Sequence, residues 1–451
     1  MSLQSMIDNA LAKTSSGRGV WVGLSGGLDS SLLLTLAATA CHRHPRPLRA
    51  VHVHHGLQVA ADGFERHCRR LCSQLGVPLT VERVHVDPQA GKGLEGAARD
   101  ARYAAFARCV PTGDTLWLAQ HRDDQAETWW LAALRGSGVR GLGGMPGERL
   151  WHGRTLVRPL LEASRAELEA EAARLSLDWV EDPSNRDERL DRNFLRGSVL
   201  PLLETRWPRA SAALARSAEL AGEADGLLAE LAELDLQRLG EEPSRLPIDG
   251  LATLSVARQR LLIRHACTRL TLPTPPARPL NALLEQLTAR ADAGVKVAWP
   301  GGEARRWHGS LYLMPPTETP PAGWQIRWDG RSMLETPLGS IGVRLTPECA
   351  DGAGDHACVR GGCRTGFRVA LRVAFRQGGE RLRLAGRGGR DLKRLMQEAG
   401  VPPWRRAWLL VVWQADEVVA VLDPQAGQWL LCAEGWRASG TDDDAPAPPT
   451  E

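Results

Sequence analysis

Ser25-Gly26-Gly27-Leu28-Asp29-Ser30 is the stretch of the chain best equipped for chemistry. Two adjacent glycines let the backbone take positive φ and let a ligand approach it closely. Ser25 and Ser30 add hydroxyl donors. Asp29 is a hard oxygen ligand of the kind magnesium takes. No Gly-Lys-Ser/Thr follows, so this is not a Walker A loop. Polyphosphate is the ligand that suits such a turn, provided a helix N-terminus stands behind it. A plain strand–turn–helix connection would favour the same residue types.

A second constellation is His121-Arg122-Asp123-Asp124-Gln125-Ala126-Glu127-Thr128. Asp124 and Glu127 stand at i, i+3, so a helix would present both carboxylates on one face. They suit magnesium or a substrate ammonium group. A helix-terminus role explains one acid but not His121 and Glu127 as well. Glu95, Arg99 and Tyr103 share a helical face at i, i+4, i+8; alone they read as a surface Glu95–Arg99 pair, and only beside the other motifs does Arg99 become a candidate to meet developing negative charge. His52, His54 and His55 lack a Cys or acid at metal spacing, so a polar strand end fits better than zinc. Arg135-Gly136-Ser137-Gly138 through Gly144 reads as a cationic glycine loop able to close over polyphosphate. Glu181–Asp187 is rich in turn formers, and Arg192-Asn193-Phe194-Leu195-Arg196 then starts a helix.

These groups need elements to position them. The hexapeptide follows the apolar run Val20–Leu24 and precedes Ser31-Leu32-Leu33-Leu34, the order of buried strand, turn and helix. Strands are expected at 20–24, 48–54, 79–86 and 115–119. Helices are expected at 29–41, 62–75, 95–109, 122–135 and 164–175. The last opens with the capping box Ser164-Arg165-Ala166-Glu167. Such alternation predicts an α/β, doubly wound parallel sheet, with ligands outside the carboxyl ends of its strands. The glycine turn, His54-His55-Gly56 and Gln120-His121 all fall at such ends.

Beyond residue 212 the pattern changes. A long Ala/Leu/Glu helix is expected at about 210–238, and further helices, broken by prolines, at 251–290. The sequence thus predicts a catalytic domain at 1–212, a mostly helical domain at 213–322, a small α+β C-terminal domain at 323–440 and a disordered tail at 441–451. The C-terminal domain shows alternation in 337–345 and 367–384 and a short helix at 391–399. Segment 376–406 carries nine basic residues against three acids, a phosphate-facing patch or a solvated arginine surface. No run is long and apolar enough for a membrane span. Nine cysteines without a tight framework suit reduced thiols in a cytoplasm.

The hexapeptide resembles the PP-loop of N-type ATP pyrophosphatases, which split ATP into AMP and pyrophosphate. The ordered set resembles the tRNA(Ile)-lysidine synthases. It comprises the PP-loop, His52–Gly56, Glu95 with Ala98-Arg99 and Arg102-Tyr103, the His121–Thr128 block, Arg135–Gly138, Arg158-Pro159-Leu160-Leu161 and the Asp182–Arg196 block. It resumes with Gly388–Leu395 and Gln397–Trp404. Residues 351–366, rich in Gly and Cys, and the missing proline after Arg406 depart from that pattern.

The resemblance implies ligation of free lysine to C2 of the wobble cytidine of tRNA(Ile) with a CAU anticodon, through an adenylated cytidine. ATP and Mg2+ are the implied cofactors, with Ser25, Gly26, Gly27, Leu28, Asp29, Ser30, His54 and His121 around the nucleotide and Asp29 on the metal. Asp29, Arg99, Asp124 and Glu127 are the expected catalytic residues. Arg192, Arg196, Arg387, Arg390, Lys393 and Arg394 are expected to grip tRNA. Monomer and homodimer both remain open. A sulfur-transferring relative would need a Cys pair or Cys-x-x-Cys cluster, and an amidotransferase relative a glutaminase domain. An RNA-binding protein without chemistry would have no need of the four catalytic residues.

Overall fold

The computed structural model describes residues 2–15, 17–56, 61–86, 93–287, 295–348, 370–386 and 388–440. Side chains at 61, 93–95, 184 and 186 are outside that description. The chain divides into two compact units, Met1–Leu231 and Ala232–Glu451.

The first unit is built on a six-stranded sheet. Its strands are β1 (Val20–Gly23), β2 (Leu48–His54), β3 (Leu79–Arg83), β4 (Thr115–Trp117), β5 (Glu148–Trp151) and β6 (Arg154–Val157), in the order β3-β2-β1-β4-β6-β5. All pairs are parallel except β5 with β6. Strand β1 is buried on both faces, as a central parallel strand must be. Val20 and Val22 enter one core with Leu32, Leu33 and Leu36; Trp21 enters the other with Phe106 and Leu116. Gly23 ends β1 because a Cβ there would stand 2.7 Å from Leu118 Cδ2.

Helices α1 (Leu3–Lys13), α2 (Leu28–Arg43), α3 (Ala61–Leu75), α4 (Gly93–Cys109) and α5 (Arg122–Leu134) follow in chain order. After the single turn α6 (Val139–Leu142) comes α7 (Arg165–Arg174). The predicted capping box holds α7: Ser164 Oγ accepts from the Glu167 N–H, and Glu167 accepts from the Ser164 N–H. The short α8 (Asp191–Phe194) runs through a wide helical turn at Leu195–Val199 into α9 (Leu200–Arg206), and α10 (Ala210–Arg238) follows. The hairpin β5–β6 was not anticipated. Its outer strand is largely exposed and carries no apolar alternation.

The second unit holds helices α11 (Ile248–Ala252), α12 (Val256–Arg269) and α13 (Ala277–Leu287), packed on a sheet that the helical expectation lacked. Its strands β7 (Arg245–Pro247), β8 (Lys296–Trp299), β9 (Gly302–Trp307) and β10 (Ser310–Met314) run antiparallel in the order β7-β10-β9-β8. Strand β9 hid itself by chemistry. Glu303 is buried, with Arg305 donating to it at 2.8 Å, so charges occupy inward positions and spoil the apolar alternation. The rest is β-rich. Strands β11 (Gln325–Trp328), β15 (Leu371–Phe375), β16 (Arg381–Leu384), β17 (Gly388–Asp391), β18 (Leu410–Gln414), β19 (Glu417–Asp423) and β20 (Gln428–Cys432) form one sheet. Helix α14 (Leu392–Glu398), capped by Asp391, packs Leu392, Leu395 and Met396 against it. No helix of the described residues is long and apolar enough to cross a membrane.

Candidate active site

The turn after β1 is held by its own hydroxyls. Ser30 Oγ accepts from the Ser25 N–H at 3.1 Å and the Gly26 N–H at 3.3 Å, and lies 3.0 Å from Ser25 Oγ. Gly26 has φ +93°, and a Cβ there would press on Cys68 Sγ at 3.3 Å, so a side chain is excluded twice over. Gly27 caps α2 without a side chain, leaving the helix N-terminus facing the turn. His52, read as a strand-end polar group, is instead buried beneath the turn with its Nδ1 2.8 Å from the Leu24 carbonyl. Burial pushes its pKa down, which favours the neutral ring. His54 lies 3.2 Å from Asp62 at the same strand end.

Four carboxylates, one histidine and three arginines then interlock around three strand ends. His121 ends the segment after β4 and is 1% exposed; its Nε2 lies 3.9 Å from Asp29 and 3.5 Å from Asp124, and its Nδ1 3.5 Å from Asp123. Burial works against the imidazolium, but Asp123, Asp124 and Asp29 outweigh it and raise the pKa of His121. Asp123 also accepts from the Arg165 N–H at 2.8 Å. Asp124 accepts from the His121 N–H at 3.0 Å with one oxygen and from Arg196 Nη2 at 2.9 Å with the other. Arg196 Nε donates to Glu127 Oε1 at 2.7 Å. The predicted i, i+3 pair therefore shares one guanidinium.

Glu127 is fully buried. Its Oε2 has no hydrogen-bond partner among the described residues, and Arg192 Nη1 stands 3.9 Å away. Burial raises its pKa, against the opposing pull of Arg196. A buried carboxylate with a spare lone pair is an acceptor suited to an ammonium group or its proton. Asp29 is 29% exposed, and burial raises its pKa as well, partly countered by Arg165. Arg165 Nη1 donates to both Asp29 oxygens, at 3.1 and 3.2 Å. Sequence reading saw Arg165 only as part of a cap, because its partner is 136 residues away.

The structure brings Ser25–Ser30, His121, Asp124, Glu127, Arg192 and Arg196 into one cluster. Arg192 and Arg196, expected to grip RNA, stand here on the acids themselves. Arg99 stands with another group: its guanidinium lies 5.0 Å over the Tyr103 ring, whose other neighbours are Arg149 and Trp151. The Glu95 side chain lies outside the described residues. The glycine loop differs from the mobile cover expected of it. Gln125 donates to the Met145 carbonyl and accepts from the Met145 N–H, both at 2.7 Å and buried, and Gly143 lies against the backbone of Gly222. The loop is a fixed joint between α5 and α10.

Among the described residues no cluster of three or more His, Cys, Asp or Glu could hold a metal by itself. Magnesium does not require one, since it binds through one or two carboxylates plus substrate phosphates and water. Cys68 and Cys72 are buried, which pushes their thiols up to about 12 and about 11, far from reactive thiolates.

The C-terminal basic segment sorts into two kinds. Arg376 and Arg405 pair with Glu380 and Asp423, and Arg406 donates to the Val401 carbonyl, so these three are structural. Arg390, Lys393 and Arg394 are exposed, with Arg394 3.3 Å from Glu398. Arg387 lies outside the described residues.

Comparison with known proteins agrees along the whole chain. Residues 1–203 match a PP-loop domain, 246–312 a TilS substrate binding domain and 371–437 a TilS substrate C-terminal domain. The chain is 43% identical over 407 residues to the tRNA(Ile)-lysidine synthase of Xanthomonas axonopodis pv. citri, covering 90% of this chain and 89% of that one. It is 44% identical over 447 residues to that of Pseudomonas aeruginosa, covering 95% and 96%. At this identity and coverage, with all three domains in order, the chain belongs to the tRNA(Ile)-lysidine synthase family.

Proposed function

We propose that this chain ligates free lysine to C2 of the wobble cytidine of tRNA(Ile) bearing a CAU anticodon, in two steps. In the first, the cytosine C2 oxygen attacks the α-phosphorus of ATP. The bond from that phosphorus to the leaving oxygen breaks, and pyrophosphate departs. In the second, the ε-amine of lysine, having given up its proton, attacks C2. The C2–O bond breaks and AMP departs. The product is lysidine, which pairs with A and changes charging from methionine to isoleucine.

The observation that carries this reading is the joining of two sites. The phosphate-suited turn and the buried acid pair meet at His121, which lies within 4 Å of both Asp29 and Asp124. ATP sits on the Ser25–Ser30 turn with the α2 N-terminus behind it. Asp29 would hold the magnesium that accompanies the nucleotide, and the ion would supply positive charge against the polyphosphate. Asp124 and Glu127 receive the lysine amines. The raised pKa of Glu127 and its spare Oε2 suit it to take the ε-ammonium proton. Arg99 stabilises charge on the adenylate. Arg196 sets the spacing of the acids, and Arg390, Lys393 and Arg394 grip the tRNA backbone. The reaction belongs to the cytoplasm, where tRNA and reduced thiols are found.

The test is nucleoside mass spectrometry of tRNA(Ile) after incubation with the full chain, ATP and lysine. Lysidine should form with one AMP and one pyrophosphate per modified cytidine. Pyrophosphate release without any lysine-dependent product would overturn the assignment.

A further inference from the structure

We infer that Arg165 is the residue that receives the departing pyrophosphate, exchanging Asp29 for phosphate oxygens when the nucleotide binds. The inference rests on the polyphosphate reading of the Ser25–Ser30 turn and adds the cation that turn lacks. No Lys or Arg occurs between Ser25 and Ser30. A glycine-rich phosphate loop ordinarily works with a nearby cation, because backbone N–H groups alone leave most polyphosphate charge unbalanced. Here the turn's own N–H groups at Ser25 and Gly26 are taken up by the Ser30 hydroxyl.

Arg165 is the cation against Asp29. It contacts both carboxylate oxygens. Its backbone is fixed at the start of α7, because its N–H donates to Asp123. Its side chain is held from the other side by Glu169, which accepts from Nε at 2.8 Å. The guanidinium is thus anchored at two points, with its Nη1 edge turned to the phosphate turn. The Arg165 side chain as a whole is more than a third exposed, so solvent reaches it without unfolding. A planar guanidinium binds phosphate in a fork as readily as it binds carboxylate. When polyphosphate and its metal enter, the metal takes the Asp29 carboxylate and Arg165 is left for the phosphate oxygens.

This exchange has a signature that a purely structural ion pair lacks. Asp29 and pyrophosphate compete for the same guanidinium, so in the absence of metal the Asp29 carboxylate should weaken anion binding. The experiment is calorimetric titration of the full chain with inorganic pyrophosphate in EDTA, for Arg165→Gln, Arg165→Lys, Asp29→Asn and the Asp29→Asn/Arg165→Gln double variant. Arg165→Gln should weaken metal-free binding by roughly tenfold or more, the scale of one charge-assisted contact. Arg165→Lys should lose less. Asp29→Asn should tighten it, and the gain should vanish in the double variant.

Wild-type affinity in a folded Arg165→Gln chain overturns the inference. So does a gain from Asp29→Asn that persists without Arg165. Should Arg165→Gln fail to fold, an Asp29→Asn variant that binds no more tightly than wild type overturns it independently. A wild-type chain that binds neither pyrophosphate nor ATP, with or without magnesium, removes the polyphosphate reading itself and the inference with it. That result is distinct from failure at Arg165 alone.

Discussion

The charged residues around His121 and those of the exposed C-terminal patch are organised on opposite principles. Around His121 they are shared about a buried imidazole and a buried Glu127: one guanidinium serves Asp124 and Glu127, one imidazole faces three aspartates, and Asp29 answers to Arg165. On α14 and its preceding strand, Arg390, Lys393 and Arg394 are exposed, and the ion pair there is a local i, i+4 contact. Charges in a low-dielectric cluster depend steeply on one another, whereas exposed charges are screened and act nearly one by one. The first arrangement can set protonation and geometry for a reaction. The second can supply only attraction, which suits holding a polyanion. Substitutions should therefore have large, step-specific effects in the first region and additive, salt-dependent effects in the second.

The largest expected effect is at Asp29. Asp29→Asn removes the charge proposed to hold magnesium and should slow pyrophosphate release by about 10²- to 10³-fold, the scale of losing one group that stabilises transition-state charge. Near wild-type release by a folded variant would detach the turn from catalysis and break the contrast. Next come the acids. Glu127→Gln and Asp124→Asn should slow the lysine-dependent step by about 10²-fold, in the range of general-base loss, while adenylation falls less. Single-turnover measurement of adenylated tRNA and of lysidine separates the two. Equal slowing of both steps would assign the acids to ATP or metal instead.

How much of this was legible depends on sequence distance. The turn at Ser25–Ser30 and the Asp124–Glu127 pair are local patterns, and periodicity alone places them at strand ends. The buried character of β1 and α2 follows from their apolar runs in the same way. The places of Arg165 and Arg196 beside the acids were not legible, because their partners lie 136 and 69 residues away, which no window can contain. His52 looked like a ligand-facing group because alternation with Val51 and Val53 gives a side but not a depth. The sheet of the second unit was lost where inward-facing Glu303 broke the pattern of β9. In each case the sequence failed where a polar group is placed by a partner distant in the chain, since hydropathy does not record such partners.

A smaller effect is expected of the exposed patch. Replacing Arg387, Arg390, Lys393 and Arg394 with Ala should weaken tRNA binding and flatten the dependence of log K on log salt by roughly three to four units, one counterion-releasing contact each. Turnover on a short anticodon stem-loop should hardly change, since on the proposed reading the patch grips the tRNA body that such a substrate lacks. An unchanged salt slope in a variant of normal stability would make these residues mere solvated surface.

The smallest effect concerns stability and isolates the interlocked region. Asp123, Asp124 and Asp29 hold the His121 pKa above its ordinary 6.5, so the folded chain keeps that proton longer than the unfolded one. A raised histidine pKa gives stability that is fully present below about 6.5 and is lost as pH climbs through the folded value. Asp29 and Glu127, also raised, act with the same sign, their contribution being lost as pH rises through their own folded values. His52, His55 and His67 are shifted down by burial, His55 to about 4, so they act with the opposite sign, adding stability as pH rises through the unfolded value of about 6.5. The contribution of His121 is therefore read as the difference between the full chain and His121→Gln, which keeps the backbone N–H that Asp124 accepts. That difference in melting temperature should favour the full chain most at about pH 6.5 and shrink as pH rises above it. A slope identical to wild type would mean that the aspartates do not hold a proton on His121, and that the cluster is a set of separate ion pairs, no more coupled than the arginines of α14.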